Sequence, residues 1–486
     1  MRKQLVGRAD FLYPRETETP MRNTKIICTI GPTTASFEML KELTENGMNV
    51  ARLNMSHGSH EWHRTVIQHI KRLNKKLGGS LAILLDTKGP EVRTGDVNLD
   101  LVLKKGDQLT LTVRRQAVLE ANTVEVSYDG FVDEVEVGDT VLIDGGMITL
   151  KVQRIAGKDI VCQCLDDGIL TSRRHVNIRG KSADLPSITD KDWDDIRFGI
   201  ENGIDFIALS FVRTAEAIKE LREHLQCGND CIDILAKIES AEAIPHLDEI
   251  IARADGIMIA RGDLGAELPF EEVPLLQEEI VRKCRAAGKP VVVATHMLES
   301  MIVNPTPTRA EVTDITQAVL QGADATMLSG ETATGKHPLK ALAAMDTVTR
   351  RIEQKLALDP TVRVAPSENP KHEIARSAAI LTNNLHAAAI LVFTRRGLMA
   401  MLLSRCRPSA PIYAFTNTTH VRRRLEIFWG VHPFLIKLSK DPEVSIKRAI
   451  DKLLLRQLIS AGSRVIVVSD ILVDGKFVET VQVRVI

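Results

Sequence analysis

Two short segments of the chain end in charged residues that could act on one substrate. Lys237 and Glu239 close an apolar run, and because side chains alternate along a strand, both are expected on the same face. Asp263 closes a second apolar run, and Gly262 before it leaves room for a ligand near the backbone. Two carboxylates suit Mg2+, which binds one or two carboxylates together with substrate phosphate oxygens. An ammonium group beside them would stabilise a developing oxyanion.

A structural explanation of the same residues stays open at this point. A lysine and a glutamate in one partly buried space are costly unless they are paired. An ion pair between Lys237 and a carboxylate could therefore do no more than tie two strands together. The two segments alone do not distinguish a catalytic site from a structural ion pair. The distinction depends on the secondary-structure elements that position them.

Eight short apolar runs, rich in β-branched residues, alternate with amphipathic stretches over most of the chain. Strands that alternate with helices predict βαβ units and a parallel sheet, and eight such units predict an α/β fold, the closed (β/α)8 TIM barrel. Nearly every run ends in polar residues, which a barrel would bring together at its C-terminal mouth. The runs are 25–30, 49–54, 81–87, 205–211, 233–239, 256–263, 290–296 and 325–331.

The regular alternation stops in a stretch rich in Val, Thr and Gly-Asp turns. That composition predicts an inserted small β-barrel domain with tight hairpins, placed after the third barrel strand as a lid over the mouth. A linker rich in Pro and Ser then leads to a further α/β domain. The predicted boundaries are an N-terminal tail at 1–22, the catalytic barrel at 23–90 and 190–357, the lid at 91–189 and the C-terminal α/β domain at 371–486.

The composition argues against several classes of partner. Lys plus Arg and Asp plus Glu are 63 each among 486 residues, so no net charge attracts nucleic acid or a membrane surface. No apolar run approaches the roughly 20 residues that cross a bilayer. The seven cysteines lack the paired spacing of a zinc site, and free thiols favour a reducing compartment. The first 22 residues have no apolar signal region and contain acidic residues, so we expect a cytoplasmic protein.

Seven sequence motifs resemble those of the pyruvate kinase family, and they occur along the chain in the same order as in that family. The resemblance runs from about residue 23 to the end and weakens in the C-terminal domain. It implies transfer of a phosphoryl group from phosphoenolpyruvate to ADP, giving pyruvate and ATP through a Mg-bound enolate that is then protonated. It also implies a homotetramer. The motifs are 24–32 (TKIICTIGP), 51–58 (ARLNMSHG), 85–95 (LDTKGPEVRTG), 236–239 (AKIE), 258–265 (MIARGDLG), 294–302 (ATHMLESMI) and 327–333 (MLSGETA).

The resemblance also implies roles for the residues at the strand ends. Glu239 and Asp263 would hold Mg2+ (or Mn2+), which bridges the substrate. Lys237 would stabilise charge on the phosphoryl group and the enolate oxygen, as phosphoryl transfer requires. The remaining substrate contacts would come from Arg52 at the phosphoryl group and from Gly262, Asp263 and Thr295 near the carboxylate.

Three further groups of residues follow from the same resemblance. Oxygen ligands beside the phosphate would bind K+, and a second group would meet the nucleotide beneath the lid. A third group would form the water relay that protonates the enolate. The groups are Asn54, Ser56, Asp86 and Thr87 for K+; Asn54, Ser56, His57, Arg93 and Arg174 for the nucleotide; and Thr295, Ser329 and Glu331 for the relay.

Structural explanations remain open for several of these residues. Asn54 and Ser56 could cap the helix that follows them. Arg52 could pair with a neighbouring carboxylate, and Arg93 could be a hinge residue. Ser329 could only satisfy backbone groups at its turn.

The chain departs from the family pattern in three places: at two single residues and in one loop of the C-terminal domain. His296 stands where the family usually has Gln and can titrate near neutrality. His175 replaces a Gly in the basic loop of the lid, which restricts the backbone. Arg395 and Arg396 lie in the loop that binds an effector phosphate in regulated members, but its small hydroxyl residues are missing here. The sequence therefore predicts no particular effector.

Two other functions also stay open. A lyase or aldolase of the related barrel type could use a metal-bound pyruvate enolate without a nucleotide, although Arg93 and Arg174 in the insertion argue against it. A binding or regulatory protein could keep the fold without activity, although the intact Lys237, Glu239 and Asp263 argue against that. Formation of ATP from ADP would separate the alternatives.

Overall fold

The computed structural model describes residues 21–97, 100–116, 119–181, 185–225, 232–356, 364, 366–473 and 476–486. Residues 1–20 of the predicted tail and part of the predicted linker lie outside the described residues. Arg22, which we placed at the end of the tail, is buried and donates hydrogen bonds to Asp346 and to the Gly47 carbonyl.

Eight parallel strands form a closed barrel, which confirms the predicted fold. The first strand pairs with the eighth, with Lys25 opposite Ala325. Most strand residues are buried, because a parallel barrel is covered by helices outside and filled by side chains inside. The first to eighth barrel strands are Lys25–Thr29, Val50–Asn54, Ala82–Asp86, Phe206–Leu209, Asp233–Ile238, Gly256–Ala260, Val291–Ala294 and Ala325–Leu328.

Helices with one apolar face cover the outside of the barrel. Four begin at a Ser or Thr whose side chain accepts a hydrogen bond from a free backbone N–H of the first turn: Ser36, Ser59, Thr189 and Thr308. The covering helices are Phe37–Glu45, His60–Leu77, Asp190–Glu201, Ala215–Leu225, Leu247–Arg253, Val273–Ala287, Arg309–Gln321 and Pro338–Leu356. Two 3-10 helices, Ala241–His246 and Glu299–Ile302, follow the fifth and seventh strands.

Most predicted runs extend past the ends of the observed strands, and the two that extend furthest continue into helices. The run 256–263 leaves the strand at Ala260 and continues as the helix Arg261–Glu267. The run 325–331 leaves the strand at Leu328, before the helix Gly330–Ala333. Asp263 and Glu331 therefore lie in the first turns of short helices, where the positive end of the helix dipole favours a carboxylate.

The insertion between the third and fourth barrel strands is rich in β-strands, with its own apolar core. Its described residues form a six-stranded sheet and a separate two-stranded sheet. The segment 92–95 bridges both edges of the larger sheet, with Arg93 opposite His175 and Thr94 opposite Val126, so the ring closes as expected of a small β-barrel. A short helix, Phe131–Glu134, lies among the strands. The strands are Leu101–Leu103, Gln108–Thr112, Thr123–Glu125, Thr140–Ile143, Ile148–Ala156, Asp159–Cys164, Gly168–Leu170 and Val176–Ile178.

The C-terminal domain is a five-stranded α/β sheet whose last strand is antiparallel to its neighbour. Its strands are Ala389–Phe393, Ile412–Thr416, Val431–Leu435, Arg464–Val473 and Lys476–Val485. Its helices are Pro370–Asn384, Leu398–Arg405, Thr419–Arg424, the 3-10 turn Leu425–Ile427 and Pro442–Leu455. Among the described helices of the chain, none is both long and apolar enough to cross a membrane.

This domain packs against the N-terminal ends of the barrel strands. Lys25 at the start of the first strand donates a hydrogen bond to the Val431 carbonyl at 2.5 Å. Three arginines of the domain pair with aspartates at or just before the starts of other strands. The pairs are Arg423 with Asp205 at 2.8 Å, Arg424 with Asp233 at 2.5 Å and Arg407 with Asp324 at 3.0 Å.

Candidate active site

A buried ionic cluster occupies the C-terminal mouth of the barrel. The Lys237 ammonium lies 2.9 Å from Asp86 Oδ1 and 2.9 Å from Glu239 Oε1, and it donates to Ser210 Oγ at 2.7 Å. Asp86 and Glu239 are 0% and 1% exposed, so these charges are compensated almost entirely by one another. Lys237 and Glu239 do share one space, as the alternation along the fifth strand predicted.

Arg52, from the second strand, brings a second cation to the cluster. Its Nε lies 2.6 Å from Asp86 Oδ2, and its Nη1 donates to Thr29 Oγ1 at 2.8 Å. The structural alternative for this residue is therefore real, since Arg52 does pair with a neighbouring carboxylate. Its side chain is still 11% exposed, and Lys237 lies against the other oxygen of the same carboxylate.

The shared burial changes the acidity of these groups. Burial raises the pKa of Glu239 to about 7, and the nearby Asp263 adds to the increase although Lys237 opposes it. Burial also opposes ionisation of Asp86, but Arg52 and Lys237 outweigh it and lower the pKa of Asp86. For Lys237, the two carboxylates outweigh burial and raise the pKa. Because the Glu239 proton is held weakly near neutral pH, a cation can displace it.

The loop after the seventh strand holds Gly262 beside Thr295. Thr295 Oγ1 accepts a hydrogen bond from Gly262 N at 2.8 Å and donates to the Ala294 carbonyl at 2.6 Å. The backbone φ angles of Thr295 and His296 are +67° and +54°, and residues other than glycine rarely adopt such positive values. Strained backbone of this kind persists where its surroundings impose it, commonly at functional sites. His296 is exposed beside this strained turn.

Glu331 and Ser329, the other predicted relay residues, lie close to this loop. Glu331 accepts hydrogen bonds from Leu298 N at 3.0 Å and Ser329 N at 2.6 Å. Burial raises the pKa of Glu331. Ser329 Oγ is buried and has no hydrogen-bond partner among the described residues, so it is available to a ligand or a water. The structure thus brings all three relay residues to the ends of the seventh and eighth strands.

The four predicted K+ ligands lie at the ends of the second and third strands, where Asn54 is in register with Asp86. Asn54 Oδ1 accepts a hydrogen bond from Ser56 N at 3.1 Å in a local turn. The following helix is capped by Ser59, so the capping role that the sequence left open for Asn54 and Ser56 is wrong. Thr87 Oγ1 donates to the Ala208 carbonyl at 3.3 Å. The charge of Asp86 is already shared by Arg52 and Lys237, so this carboxylate offers a cation less unshared charge than predicted.

The two lid arginines that we predicted to contact the nucleotide, Arg93 and Arg174, bond to other lid residues in this structure. Arg93 lies 2.6 Å from Glu91 and also contacts His175, while Arg174 contacts Thr171 and lies 3.4 Å from Asp144. Burial would raise the pKa of Glu91, but hydrogen bonds from His175 and Arg93 lower it to about 2. His57 is exposed on the barrel side, after the second strand.

Phe211 and Glu267 were not predicted at this site, and Ser210 was expected at the mouth as a polar strand end but without a role. Ser210 accepts a hydrogen bond from Lys237 and donates to the Thr87 carbonyl at 2.7 Å. Phe211, with φ +51°, donates its backbone N–H to Glu239 Oε2 at 2.8 Å. Glu267 is buried four residues after Asp263. Only Ser210 had a sequence signal, as the polar end of an apolar run.

The donor set fits a hard divalent cation in part. Glu239 and Asp263 offer carboxylate oxygens, and their mutual repulsion contributes to the raised pKa of Glu239, which a cation between them would relieve. Among the described residues, no three His, Cys, Asp or Glu side chains form a ready metal cluster. That agrees with an ion such as Mg2+, which takes only one or two carboxylates and fills its shell with water and substrate phosphate.

Comparison with known proteins decides the family. The model of "Pyruvate kinase, barrel domain" matches residues 21–342, and that of "Pyruvate kinase, alpha/beta domain" matches residues 372–483. The chain belongs to the pyruvate kinase family. It is therefore a phosphotransferase that converts phosphoenolpyruvate and ADP to pyruvate and ATP, the last step of glycolysis, and family membership implies a metal-dependent reaction.

Relatives of known name span most of the chain. Pyruvate kinase isozyme G, chloroplastic, of Nicotiana tabacum is 51% identical over 92% of this chain and 80% of its own length. Pyruvate kinase of Geobacillus stearothermophilus is 42% identical over 93% of this chain and 78% of its own. The crystal structure of a pyruvate kinase from Cryptosporidium parvum superimposes with a TM-score of 0.88 at 38% identity, covering 95% of this chain and 96% of that one.

The predicted cytoplasmic location is wrong by this comparison. Relatives from Nicotiana tabacum and Arabidopsis thaliana, 46–51% identical over 92–93% of this chain, are named chloroplastic or plastidial pyruvate kinases. These names point to a plastid. The prediction failed because free cysteines indicate only a reducing environment, which does not distinguish one such compartment from another.

Proposed function

We propose that the ionic cluster around Lys237 is the site at which this chain transfers the phosphoryl group. The observation that carries the proposal is that one buried ammonium contacts two buried carboxylates, beside a third carboxylate at Asp263. Lys237 is held by Ser210 and Asp86, so it keeps its position while charge moves on the substrate. A preoriented cation of this kind stabilises developing negative charge.

Glu239 and Asp263 would hold Mg2+, which would supply positive charge to neutralise the negative charge of the substrate. Gly262 N and Thr295 Oγ1, which now bond to each other at 2.8 Å, would orient the substrate carboxylate. Arg52 would contact the phosphoryl group while its Nε remains on Asp86. Thr295, Ser329 and Glu331 would order the water that delivers a proton to the enolate carbon.

ADP would enter beneath the lid. Arg93 and Arg174 would exchange their present partners for phosphate oxygens, and His57, Asn54 and Ser56 would meet the nucleotide from the barrel side. Guanidinium groups suit this exchange because they bind phosphate in a bidentate geometry. Asn54, Ser56, Asp86 and Thr87 would bind K+, which would add positive charge near the substrate phosphate.

A coupled assay tests the function directly. Purified protein is supplied with phosphoenolpyruvate, ADP, Mg2+ and K+, and pyruvate is followed through lactate dehydrogenase while ATP is measured separately. Both products should form in equal amounts. Pyruvate without ATP would instead indicate a lyase that uses the same enolate, and no product from correctly folded protein would contradict the assignment of this site.

Two further properties rest on the family alone. We propose a homotetramer, which multi-angle light scattering should report as four times the chain mass of 53.7 kDa. We also propose a plastid location, which a fluorescent fusion of the complete gene product in plant cells would test. A stable monomer or a cytosolic signal would contradict the respective proposal.

A further inference from the structure

Glu267 occupies a position that the proposed chemistry does not use. It is 7% exposed and ends the helix Arg261–Glu267, whose first turn carries Asp263. Residues four apart on a helix lie on the same face, so both carboxylates point to one side. Burial raises the pKa of Glu267 to about 7, with a smaller contribution from Asp263.

One oxygen of Glu267 holds the segment that carries the other proposed metal ligand. Glu267 Oε2 accepts a hydrogen bond from Ala241 N at 2.8 Å, and Ala241 lies two residues after Glu239. The fifth-strand segment with Glu239 and the helix with Asp263 are therefore joined by one buried carboxylate. Partners of this kind fix the orientation of ligands without touching the metal.

The second oxygen of Glu267 faces the lid. Asn177 Nδ2, in the lid strand Val176–Ile178, lies 3.5 Å from Glu267 Oε1. A hydrogen bond of that length is weak, at the limit of the usual distance range. A cavity of about 60 Å³ adjoins it, lined in part by Ser240, whose buried Oγ has no partner among the described residues.

We propose that Glu267 is a positioning residue that sets the spacing of Glu239 and Asp263 and couples it to the lid through Asn177. The proposal rests on the metal role given above to Glu239 and Asp263. When the lid closes, Asn177 approaches Glu267 and favours its ionised form as a hydrogen-bond acceptor. The ionised carboxylate then holds Ala241 and the helix in the arrangement that binds the cation.

Four variants test the proposal, with Mn2+ binding measured by electron paramagnetic resonance beside steady-state kinetics. Glu267→Ala should raise the Mn2+ dissociation constant and the Mg2+ concentration for half-maximal activity about tenfold or more, as loss of an outer-shell partner does. At saturating metal, kcat should stay within about threefold of the unaltered protein. Glu267→Gln, which keeps an acceptor for Ala241 N, should show an intermediate shift.

Asn177→Ala should shift metal binding less than Glu267→Ala, and the double variant should be no worse than Glu267→Ala alone, because both changes act on one link. Glu249→Gln is the matched control, since it changes an exposed carboxylate in the helix Leu247–Arg253 that follows the same segment. It should leave metal binding unchanged.

Two outcomes would overturn the proposal. One is unchanged Mn2+ binding in both Glu267 variants, and the other is fully additive effects of Asn177→Ala and Glu267→Ala. If Glu267→Ala does not fold, Glu267→Gln and Asn177→Ala still decide. These results are distinct from failure of the proposed function, in which the unaltered protein itself would form no pyruvate and ATP.

Discussion

The two ends of the barrel both carry buried charged residues, but they pair them in different ways. At the N-terminal end each aspartate has its own arginine from the C-terminal domain, and backbone N–H groups complete the pairing: Asp205 also accepts from Ile83 N and Asp324 from Val291 N. At the mouth, Lys237 is shared by Asp86 and Glu239.

The difference shows which end is built for stability and which for chemistry. At the N-terminal end each aspartate already has one arginine as its partner, so among these described pairs no arginine is shared between two carboxylates. Burial raises the pKa of one carboxyl at each end, Asp233 to about 6 and Glu239 to about 7, so acidity alone does not distinguish the ends. The mouth differs in its shared lysine and in the strained backbone angles of Thr295 and His296. A shared cluster of this kind suits the exchange of partners that we propose for the mouth, and barrel enzymes place their reactive groups at this end.

The largest expected effect is on turnover. Lys237→Met should lower kcat by roughly ten-thousandfold while substrate binding is largely kept, because the ammonium serves the transition state more than the ground state. Lys25→Met is the matched control, since it removes a buried lysine at the opposite end, where Lys25 Nζ contacts only a backbone carbonyl among the hydrogen bonds of the described residues. Its folded fraction should keep near-normal kcat. A Lys237→Met enzyme with a tenth of normal turnover would remove the distinction between the two ends.

The second largest effect is expected on the Mg2+ requirement, which should change for variants at the mouth but not for a variant at the N-terminal end of the barrel. Glu239→Gln and Asp263→Asn each remove one hard anionic ligand, so the Mg2+ concentration for half-maximal activity should rise sharply in both. Asp205→Asn changes a buried carboxylate at the other end, beside Arg423, and should leave the Mg2+ titration unchanged. Full activity with an unaltered Mg2+ titration in Glu239→Gln would exclude the metal role.

The monovalent cation gives a smaller and more conditional effect. Glu91 lies at the start of the lid beside Arg93, and a carboxylate there cannot supply the positive charge that a lysine could. A charge within a few ångströms in a partly dry cleft changes rates by orders of magnitude. We therefore expect low activity in Na+ or tetramethylammonium buffers and recovery with K+.

Substitutions at Glu91 sharpen that expectation. Glu91→Lys should reduce the K+ dependence, whereas Glu91→Gln, which removes the carboxylate without adding a cation, should keep it. Full turnover of the unaltered protein without K+ would contradict both the cation site and the role of Glu91. Arg52 and Lys237 already share the charge of Asp86, which is why we expect a smaller effect from K+ than from Mg2+.

The sequence predicted the barrel because each strand is a continuous apolar run, and it placed Lys237 and Glu239 together because strand alternation is local. It placed Asp263 at a strand end, whereas the strand stops at Ala260 and Asp263 lies in the first turn of the helix Arg261–Glu267. It could not predict that Ser210 holds Lys237, because that contact joins two strands 27 residues apart. The role of Glu267 depends on three separate segments meeting and has no local signal.

The pairs at the N-terminal end were also out of reach of the sequence, because Arg424 and Asp233 are 191 residues apart. A substitution in one of these pairs is expected to have the smallest effect on activity and to act on stability instead. Arg424 makes two hydrogen bonds to Asp233, which is 4% exposed, so Arg424→Met leaves a buried carboxylate without its partner. Loss of such a partner costs about 3 kcal/mol or somewhat less here, since the Arg424 side chain is 20% exposed.

Thermal unfolding should therefore show a clearly lower midpoint for Arg424→Met, whereas kcat at a temperature where the variant stays folded should remain within about twofold of the unaltered value. Arg395→Met, which changes an exposed arginine of the same domain, should alter neither quantity. A pronounced loss of kcat in fully folded Arg424→Met would mean that the two ends communicate. Asp233 starts the strand that ends near Lys237, so the fifth strand would then be the element that carries the coupling.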